Sequence, residues 1–332
     1  MRAVLMTRTG SPDVLQVAEV PAPVLQRNTE VLVRLKAAGV NPIDTKLRQR
    51  GTFFSDRMPA ILGCDGAGIV EAVGSAVQKF RPGDEVYFCN GGIGGHPGNY
   101  AEWAIVDEAF AARKPASISF AEAAAAPLVL ITAWEALYDR ARLQPGHRAL
   151  IHAGAGGVGH VAIQLAKLKG ASVCTTVSTP AKARFVHSLG ADLEILYRDR
   201  DFVQATLDWT KGQGVDVTFD TVGGDILGKS FAATQIYGDL VTILEPAPTT
   251  PWKVARNRNQ RISLELMLTP MLQNLVEAQK AQARILDQCA RLIDNGELKI
   301  HVQEIFPLAE AANAHRALEA GGIIGKLVLI TG

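Results

Sequence analysis

Three glycines, at 154, 156 and 159, carry the strongest chemical signal in the sequence. The segment RALIHAGAGGVGHVAIQLAKLKGASV leads a short apolar run into Gly154-x-Gly156-x-x-Gly159 and then into a helix-patterned run. A strand before and a helix after distinguish a phosphate loop from a chance glycine cluster. Gly154 permits the tight turn, Gly156 lets backbone approach a pyrophosphate, and Gly159 lets helix and strand pack closely. Gly154, Ala155, Gly156, Gly157, Val158 and Gly159 form the candidate loop. The helix that follows offers unpaired N–H groups and the positive end of its dipole to an anion. A glycine turn with no ligand is the alternative, and the flanking pattern argues against it.

The residues after the next strand choose between dinucleotides. An NAD site places Asp or Glu about 20 residues beyond the loop, on the ribose hydroxyls. Here the strand ends Cys174-Thr-Thr-Val-Ser178-Thr179-Pro180, and the first acid is Asp192, past another helix. Ser178, Thr179, Lys182 and Arg184 cluster instead. Hydroxyls and cations suit a 2′-phosphate through charge-assisted hydrogen bonds, which favours NADPH over NADH. A solvated helix face is the alternative for Lys182 and, more so, for Arg184.

These residues need elements to hold them. From about residue 120 the pattern alternates strands and helices: strands at Arg148–Ala153, Ser172–Val177, Leu193–Leu196, Val215–Phe219, Asp239–Leu244 and Arg261–Leu266, with helices at His160–Gly170 and Ala181–Leu189. That alternation predicts a parallel sheet covered on both faces. An Ala-rich helix is expected over Phe120–Arg140 and an amphipathic one over Ala283–Gly296. The first 120 residues read as short strands with Gly and Pro between them, a barrel-like or sandwich unit. Asn90–Gly98 reads as a mobile glycine-rich loop. The tail reads strand, helix, strand over Val302–Phe306, Leu308–Ala320 and Lys326–Ile330.

Composition bounds the function. The chain has 332 residues, with 34 Lys plus Arg against 33 Asp plus Glu, a formal net charge of +1. Two domains are the default for this length. Near-neutrality argues against a general nucleic-acid binder. Arg256-Asn-Arg258-Asn-Gln-Arg261 is the one dense basic run, and a solvated loop explains it. No apolar stretch approaches the roughly 20 residues of a membrane span, and the N-terminus lacks a signal-peptide pattern. A cytoplasmic protein is therefore expected. Cys64, Cys89, Cys174 and Cys289 are too widely separated for a disulfide framework or a local zinc knuckle, so buried thiols are expected.

Several ordered motifs together resemble the medium-chain dehydrogenase/reductase superfamily, in its zinc-independent quinone oxidoreductase (zeta-crystallin-like) branch. They are Gly39-Val-Asn-Pro-Ile-Asp-Thr45, Gly63-Cys-Asp-Gly-Ala-Gly68, Arg81-Pro-Gly-Asp-Glu-Val86, Asn99-Tyr-Ala-Glu102, Ala126-Pro-Leu-Val-Leu-Ile-Thr-Ala133, the glycine loop and Gly325-Lys326. The resemblance implies an α/β fold, a Rossmann doubly wound parallel sheet inserted in a GroES-like β-rich catalytic domain. The expected division is 1–122 plus 297–332 for the catalytic domain and 123–296 for the dinucleotide-binding domain. It also implies roles: Asn41 and Thr132 near the nicotinamide, residues 155–159 around the pyrophosphate, Ser178, Lys182 and Tyr197 around the adenosine phosphate, and Leu244 at the nicotinamide ribose. A homodimer through the Rossmann sheet edges is implied as well.

Zinc-dependent relatives carry a catalytic Cys where this chain has Asn41 and a His where it has Cys64. No Cys stands among Leu128–Ile131 for the third ligand, and no cysteine cluster surrounds Cys89–His96. A catalytic zinc needs three convergent ligands, and only Cys64, Asp65 and His96 are near candidates, so no metal is expected. Without a metal electrophile, hydride transfer suits an acceptor that is already polarised, a quinone or an α,β-unsaturated carbonyl. The catalytic candidates are Asn41 and Lys46. Lys46 stands where relatives place a Tyr, and a solvated lysine paired with Asp44 is the alternative. Phe53, Phe54 and Trp134 are pocket candidates, with core packing as the alternative. Two other functions stay open: a zinc-dependent alcohol dehydrogenase or aldehyde reductase, and an NADPH-binding protein with a structural or RNA-associated role.

Overall fold

The computed structural model describes residues 1–54 and 57–331. They form two compact units. One comprises Val129–Met267 and Glu297–Lys299, and the other Met1–Leu128, Leu268–Gly296 and Ile300–Gly332.

The unit that carries the glycine loop is built on a parallel sheet of six strands among the described residues. In spatial order they are Leu193–Leu196, Ser172–Val177, Arg148–Ile151, Val215–Asp220, Thr234–Thr242 and Arg261–Leu264. Numbered along the chain this is 3-2-1-4-5-6, the doubly wound dinucleotide-binding order. The chain reverses direction across the sheet between Arg148–Ile151 and Val215–Asp220, where such folds bind ligands at the carboxyl ends of the strands. The strands are near-continuous apolar runs because helices cover both faces. Leu150, Cys174, Ile195, Phe202, Ala205 and Val215 make one buried cluster, and Leu227, Phe231, Leu240 and Ala255 another.

The second unit contains the sheet Val302–Pro307, Lys326–Ile330, Glu30–Val40, Asp65–Val73, Glu85–Cys89 and Ala111–Arg113, with Trp103–Asp107 also on Glu30–Val40. Val31, Val33 and Leu35 repeat at every second residue and point into one core with Val70, Val86 and Phe88. That is the two-residue period of a strand with one buried face. The tail strand Lys326–Ile330 pairs antiparallel with the long strand, Leu327 opposite Val40. The tail therefore joins the N-terminal sheet.

The compact units divide the chain elsewhere than the expected boundaries. The helix Val276–Asp294, expected in the Rossmann domain, packs with the N-terminal unit. The Tyr87 hydroxyl donates to the Leu286 carbonyl at 2.6 Å, Lys79 pairs with Asp287 at 3.0 Å, and the Ser117 hydroxyl donates to Asp294 at 2.7 Å. The 3.6-residue period predicts the apolar face of this helix but cannot say which sheet covers it. Residues 297–299 go the other way. Gln164 donates to the Lys299 carbonyl and accepts its N–H, at 2.9 and 2.8 Å.

Two local expectations also change. The Ala-rich helix breaks into Phe120–Ala125 and Pro127–Trp134, followed by a π-helical turn at Glu135–Arg140. Pro127 has no N–H to continue the first helix and starts the second. Asn90–Gly98 is packed into the unit. The Asn99 amide donates to the carbonyls of Gly63, Cys64 and Asn90, and a Cβ on Gly92 would lie 2.6 Å from the Gly63 backbone. Glycine is there for close approach of two backbones. Among the described residues no helix is long and apolar enough to cross a membrane.

Candidate active site

In the Rossmann unit the glycine loop is shaped by what a side chain would strike. A Cβ on Gly154 would lie 2.0 Å from the Thr175 hydroxyl, and one on Gly159 would lie 2.3 Å from the Ala153 carbonyl. These two glycines let the helix Gly157–Leu168 settle onto its strand. Gly156 differs: only the Ala153 carbonyl lies near, at 3.2 Å, and the remaining side is open. Gly156 is the N-cap of the helix. The first-turn N–H groups have no partner within a helix, so an open face beside them suits an anion. The cradle fits a dinucleotide pyrophosphate.

Buried polar side chains brace the loop. His152 is 1% exposed. Ser230 spends its proton on the Ile226 carbonyl at 2.7 Å, so the 2.9 Å bond to His152 Nε2 needs the imidazole N–H. The Thr176 hydroxyl then donates to Nδ1 at 3.1 Å and accepts the Ala153 N–H at 3.1 Å. Burial holds the His152 pKa down at about 4, so it acts as a neutral bridge. Neither His152 nor Thr176 was singled out from sequence. Asp220 is a third such residue. One carboxylate oxygen accepts the N–H groups of Val222 and Gly223, both at 2.9 Å, and the other accepts the Thr242 hydroxyl at 3.1 Å. This sets the ends of two adjacent strands, where Leu244 lies against Gly223. The signal was present as an acid ending an apolar strand.

Ser178, Lys182 and Tyr197 come together at the outer end of the sheet. Val177 stands opposite Leu196 in register, and the Tyr197 N–H donates to the Val177 carbonyl at 3.2 Å. Thr179 caps the helix Pro180–Ser188 by accepting the Lys182 N–H at 3.3 Å. Ser178 and Lys182 are half-buried, whereas Tyr197 and Arg184 are exposed. Thr132 is buried in the helix Pro127–Trp134. Trp134 packs edge-on to Tyr138 at 4.7 Å between ring centroids.

In the N-terminal unit Asn41 sits in a buried polar network. It caps the helix Pro42–Arg50, and its own N–H donates to the Asp44 carboxylate at 2.8 Å. Its side chain is engaged elsewhere. Nδ2 donates to Asp65 at 2.9 Å, and Oδ1 accepts from Lys326 Nζ. One Nδ2 hydrogen is left after the Asp65 bond. Lys326 Nζ also donates to the Val40 carbonyl at 3.1 Å and lies 3.8 Å from Asp65. The other Asp65 oxygen accepts the Leu128 N–H at 2.8 Å. Asp44 accepts from the Tyr100 hydroxyl at 3.1 Å, and that hydroxyl bonds His315 Nε2 at 3.1 Å. Burial raises Asp44 to about 7 and raises Asp65, and burial lowers Lys326. In the sequence Lys326 stands out only as part of the Gly325-Lys326 motif. Its pairing with Asp65 spans the whole chain, so no local spacing could have revealed it.

The remaining candidates lie apart from this network. Lys46 is half-buried on the helix Pro42–Arg50. The expected alternative, pairing with Asp44, does not occur: Asp44 is fully buried against Asn41 and Tyr100. Phe53 is half exposed. Phe54 packs beneath Gly95 with the Arg57 guanidinium 5.6 Å from its ring centroid.

The donor set around Asn41 does not fit a zinc ion. The Asn41 amide is neutral and its oxygen is taken by Lys326. Cys64 and Cys89 hydrogen-bond each other through their thiols, whereas a zinc ligand must be thiolate. The Lys326 ammonium already supplies the positive charge among these carboxylates.

A doubly wound nucleotide-binding unit joined to a β-rich unit closed by the chain's own tail defines a dehydrogenase architecture. The chain belongs to the medium-chain dehydrogenase/reductase superfamily. Residues 27–116 match the alcohol dehydrogenase GroES-like domain, and residues 189–329 match the zinc-binding dehydrogenase domain. Quinone oxidoreductase 1 of Escherichia coli is 34% identical over 97% of both chains. The crystal structure of Escherichia coli quinone oxidoreductase complexed with NADPH superimposes with a TM-score of 0.88 at 31% identity, covering 100% of both chains. An alcohol dehydrogenase superfamily protein from Novosphingobium aromaticivorans gives a TM-score of 0.91 at 34% identity, again over 100% of both.

Proposed function

We propose that this protein is an NADPH-dependent oxidoreductase that transfers hydride, without a metal, to a quinone or an α,β-unsaturated carbonyl. The observation that carries the reading is the buried Lys326 ammonium bonded to Asn41 and paired with Asp65, where a metal would need open anionic donors. NADPH binding is supported by the open Gly156 cradle, by the cations beyond the second strand, and by the NADPH complex of the Escherichia coli relative. NADPH would lie along Gly154–Gly159, with its adenosine phosphate at Ser178, Lys182 and Tyr197 and its nicotinamide ribose at Leu244. The cofactor supplies the hydride, and the protein supplies orientation and electrostatics.

A quinone or enone suits a site without a Lewis acid, because its own carbonyl drains charge from the carbon that accepts hydride. Lys46 and the spare amide hydrogen of Asn41 are the proposed contacts to substrate oxygen. Phe53 and Phe54 in the N-terminal unit and Trp134 in the Rossmann unit are each proposed as apolar contacts, and Thr132 as a support for the nicotinamide. The test is NADPH oxidation against a panel of quinones, enals and aldehydes, with an NADH control and metal analysis of protein purified without added zinc. Turnover of quinones or enals by metal-free protein is the expected result. One tightly bound zinc per chain with alcohol oxidation would replace this reading by an alcohol dehydrogenase. NADPH binding without turnover would leave a non-enzymatic role.

A homodimer through the outer strand of the Rossmann sheet belongs to the same proposal. Among the described residues Arg261–Leu264 is paired on one side only, and Leu264 and Leu266 are 62% and 49% exposed. Bare edges and apolar surface favour pairing with another chain. Sedimentation should give twice the chain mass, and Leu264→Lys should shift it to the monomer.

A further inference from the structure

Asn41 leaves the strand Glu30–Val40 between two charged neighbours. On one side that strand pairs antiparallel with the tail strand, Val40 opposite Leu327, which sets Lys326 beside Asn41. On the other side it pairs with Asp65–Val73, Gly39 opposite Asp65. The backbone is held as well: the Asn41 N–H donates to Asp44 at 2.8 Å, and Pro42 opens the helix that follows. Asn41, Asp65 and Lys326 are all buried, so charge and dipole act on one another there with little screening. An amide fits its place either way round, because its oxygen and nitrogen differ little in size. Here one way alone is favourable. Oδ1 accepts from the Lys326 ammonium, and Nδ2 donates to Asp65 at 2.9 Å. Turned over, the NH2 group would face the protons of the ammonium, and the carbonyl would face a carboxylate. Two buried hydrogen bonds would be exchanged for two repulsive contacts.

With the orientation fixed, the second Nδ2 hydrogen of Asn41 has a single direction. The ammonium on Oδ1 also draws amide electrons toward the oxygen, which makes that hydrogen a stronger donor. Lys326 is itself fixed by a second bond, from Nζ to the Val40 carbonyl at 3.1 Å. A quinone or enone that accepts hydride gains both electrons with it and gathers the charge on its oxygen. The resulting hydroquinone or enolate anion takes its proton from water. A donor aimed beforehand at that oxygen stabilises the transition state without having to reorient. We propose that Lys326 is a positioning residue for the reduction: together with Asp65 it orients and polarises the Asn41 amide, whose second hydrogen meets the substrate oxygen as charge develops on it. The inference rests on the reductase reading given above, and it assigns the tuning of Asn41 to a residue of the tail strand.

The test is a mutant cycle on the full chain, read by NADPH-dependent reduction of a quinone and an enal and by urea denaturation. Parent, Asn41→Ala, Asp65→Asn, the pair Lys326→Met with Asp65→Asn, and that pair combined with Asn41→Ala are compared. The pair removes both charges, so it keeps most of the stability that Lys326→Met alone would lose. Its kcat should nevertheless fall about 10-fold with KM changed less than about twofold. Asp65→Asn alone keeps the ammonium on Oδ1 and should lose less. Asn41→Ala should lower kcat about 100-fold, the cost of one oxyanion donor. Adding the pair to Asn41→Ala should change kcat less than about twofold further, because residues that act through one donor are not additive. A readout free of turnover is the Asn41 side-chain amide proton resonance, assigned by its loss in Asn41→Ala. It should move upfield in the pair, where no cation polarises the amide. A folded pair with parental kcat, a pair no worse than Asp65→Asn alone, an unmoved resonance, or a loss that persists in full on the Asn41→Ala background overturns the role of Lys326 and leaves the reductase reading standing. A parent that reduces neither quinone nor enal with NADPH brings down the reductase reading, and this inference with it.

Discussion

Gly156→Val should weaken NADPH binding by at least about 100-fold while its melting temperature stays within about 3 °C of the parent. The residue is the N-cap of the helix Gly157–Leu168, with φ −79° and ψ 179°. Valine adopts that extended backbone freely, so the substitution brings no backbone strain. A Cβ there meets only the Ala153 carbonyl, at 3.2 Å. The branched side chain therefore projects into the open face, where a pyrophosphate must approach the first-turn N–H groups. Each charge-assisted bond to those groups is worth about 1.5–3 kcal/mol, so losing one or two suffices. Gly154→Val makes the contrast. Its side chain would overlap the Thr175 hydroxyl and Ile163, so stability should fall together with binding. Calorimetry with NADPH and a thermal melt separate the two variants. Unchanged affinity in a folded Gly156→Val protein would show that the pyrophosphate lies elsewhere.

Lys326→Met should destabilise the protein by about 3–5 kcal/mol, the cost of stripping the partner from a buried charge. Methionine nearly fills the same space, so lost packing contributes little. What is lost is the ammonium that bonds Asn41 and the Val40 carbonyl and lies 3.8 Å from Asp65. Asp44 and Asp65 are then both buried without a cation. Lys326→Met with Asp65→Asn should recover much of the stability, because it removes the stranded charge as well.

The pH dependence of this variant has a definite sign. Asp44 has a folded pKa raised to about 7 from 3.8. The folded state therefore binds more protons than the unfolded state between those values, and this carboxyl's contribution is full below 3.8 and lost as pH rises through about 7. Removing Lys326 raises both carboxyl pKa values further, so the variant's deficit should shrink as pH falls. Urea denaturation at several pH values measures it. A deficit below about 1 kcal/mol at neutral pH would show that Lys326 does not balance these carboxylates.

Much of this protein is decided locally. The glycine spacing, the apolar strand before it and the helix pattern after it lie within one stretch of chain. So does the missing acid at the end of Ser172–Val177, which speaks for a phosphorylated ribose. Strand and helix periods depend on neighbours two to four residues apart, and their alternation predicts a parallel sheet. The Asn41 and Cys64 replacements, which weaken the case for zinc, can also be read position by position.

Tertiary structure decided the rest, because the partners are far apart in the chain. Lys326 meets Asn41 and Asp65 only when the tail strand pairs with Glu30–Val40. The helix Val276–Asp294 carries its apolar face in its own sequence, but Tyr87 and Lys79 determine which unit buries it. His152 becomes a neutral brace only through burial against Thr176 and Ser230. A period records which side of an element avoids water, whereas charge pairing and burial depend on what the folded chain brings to that side.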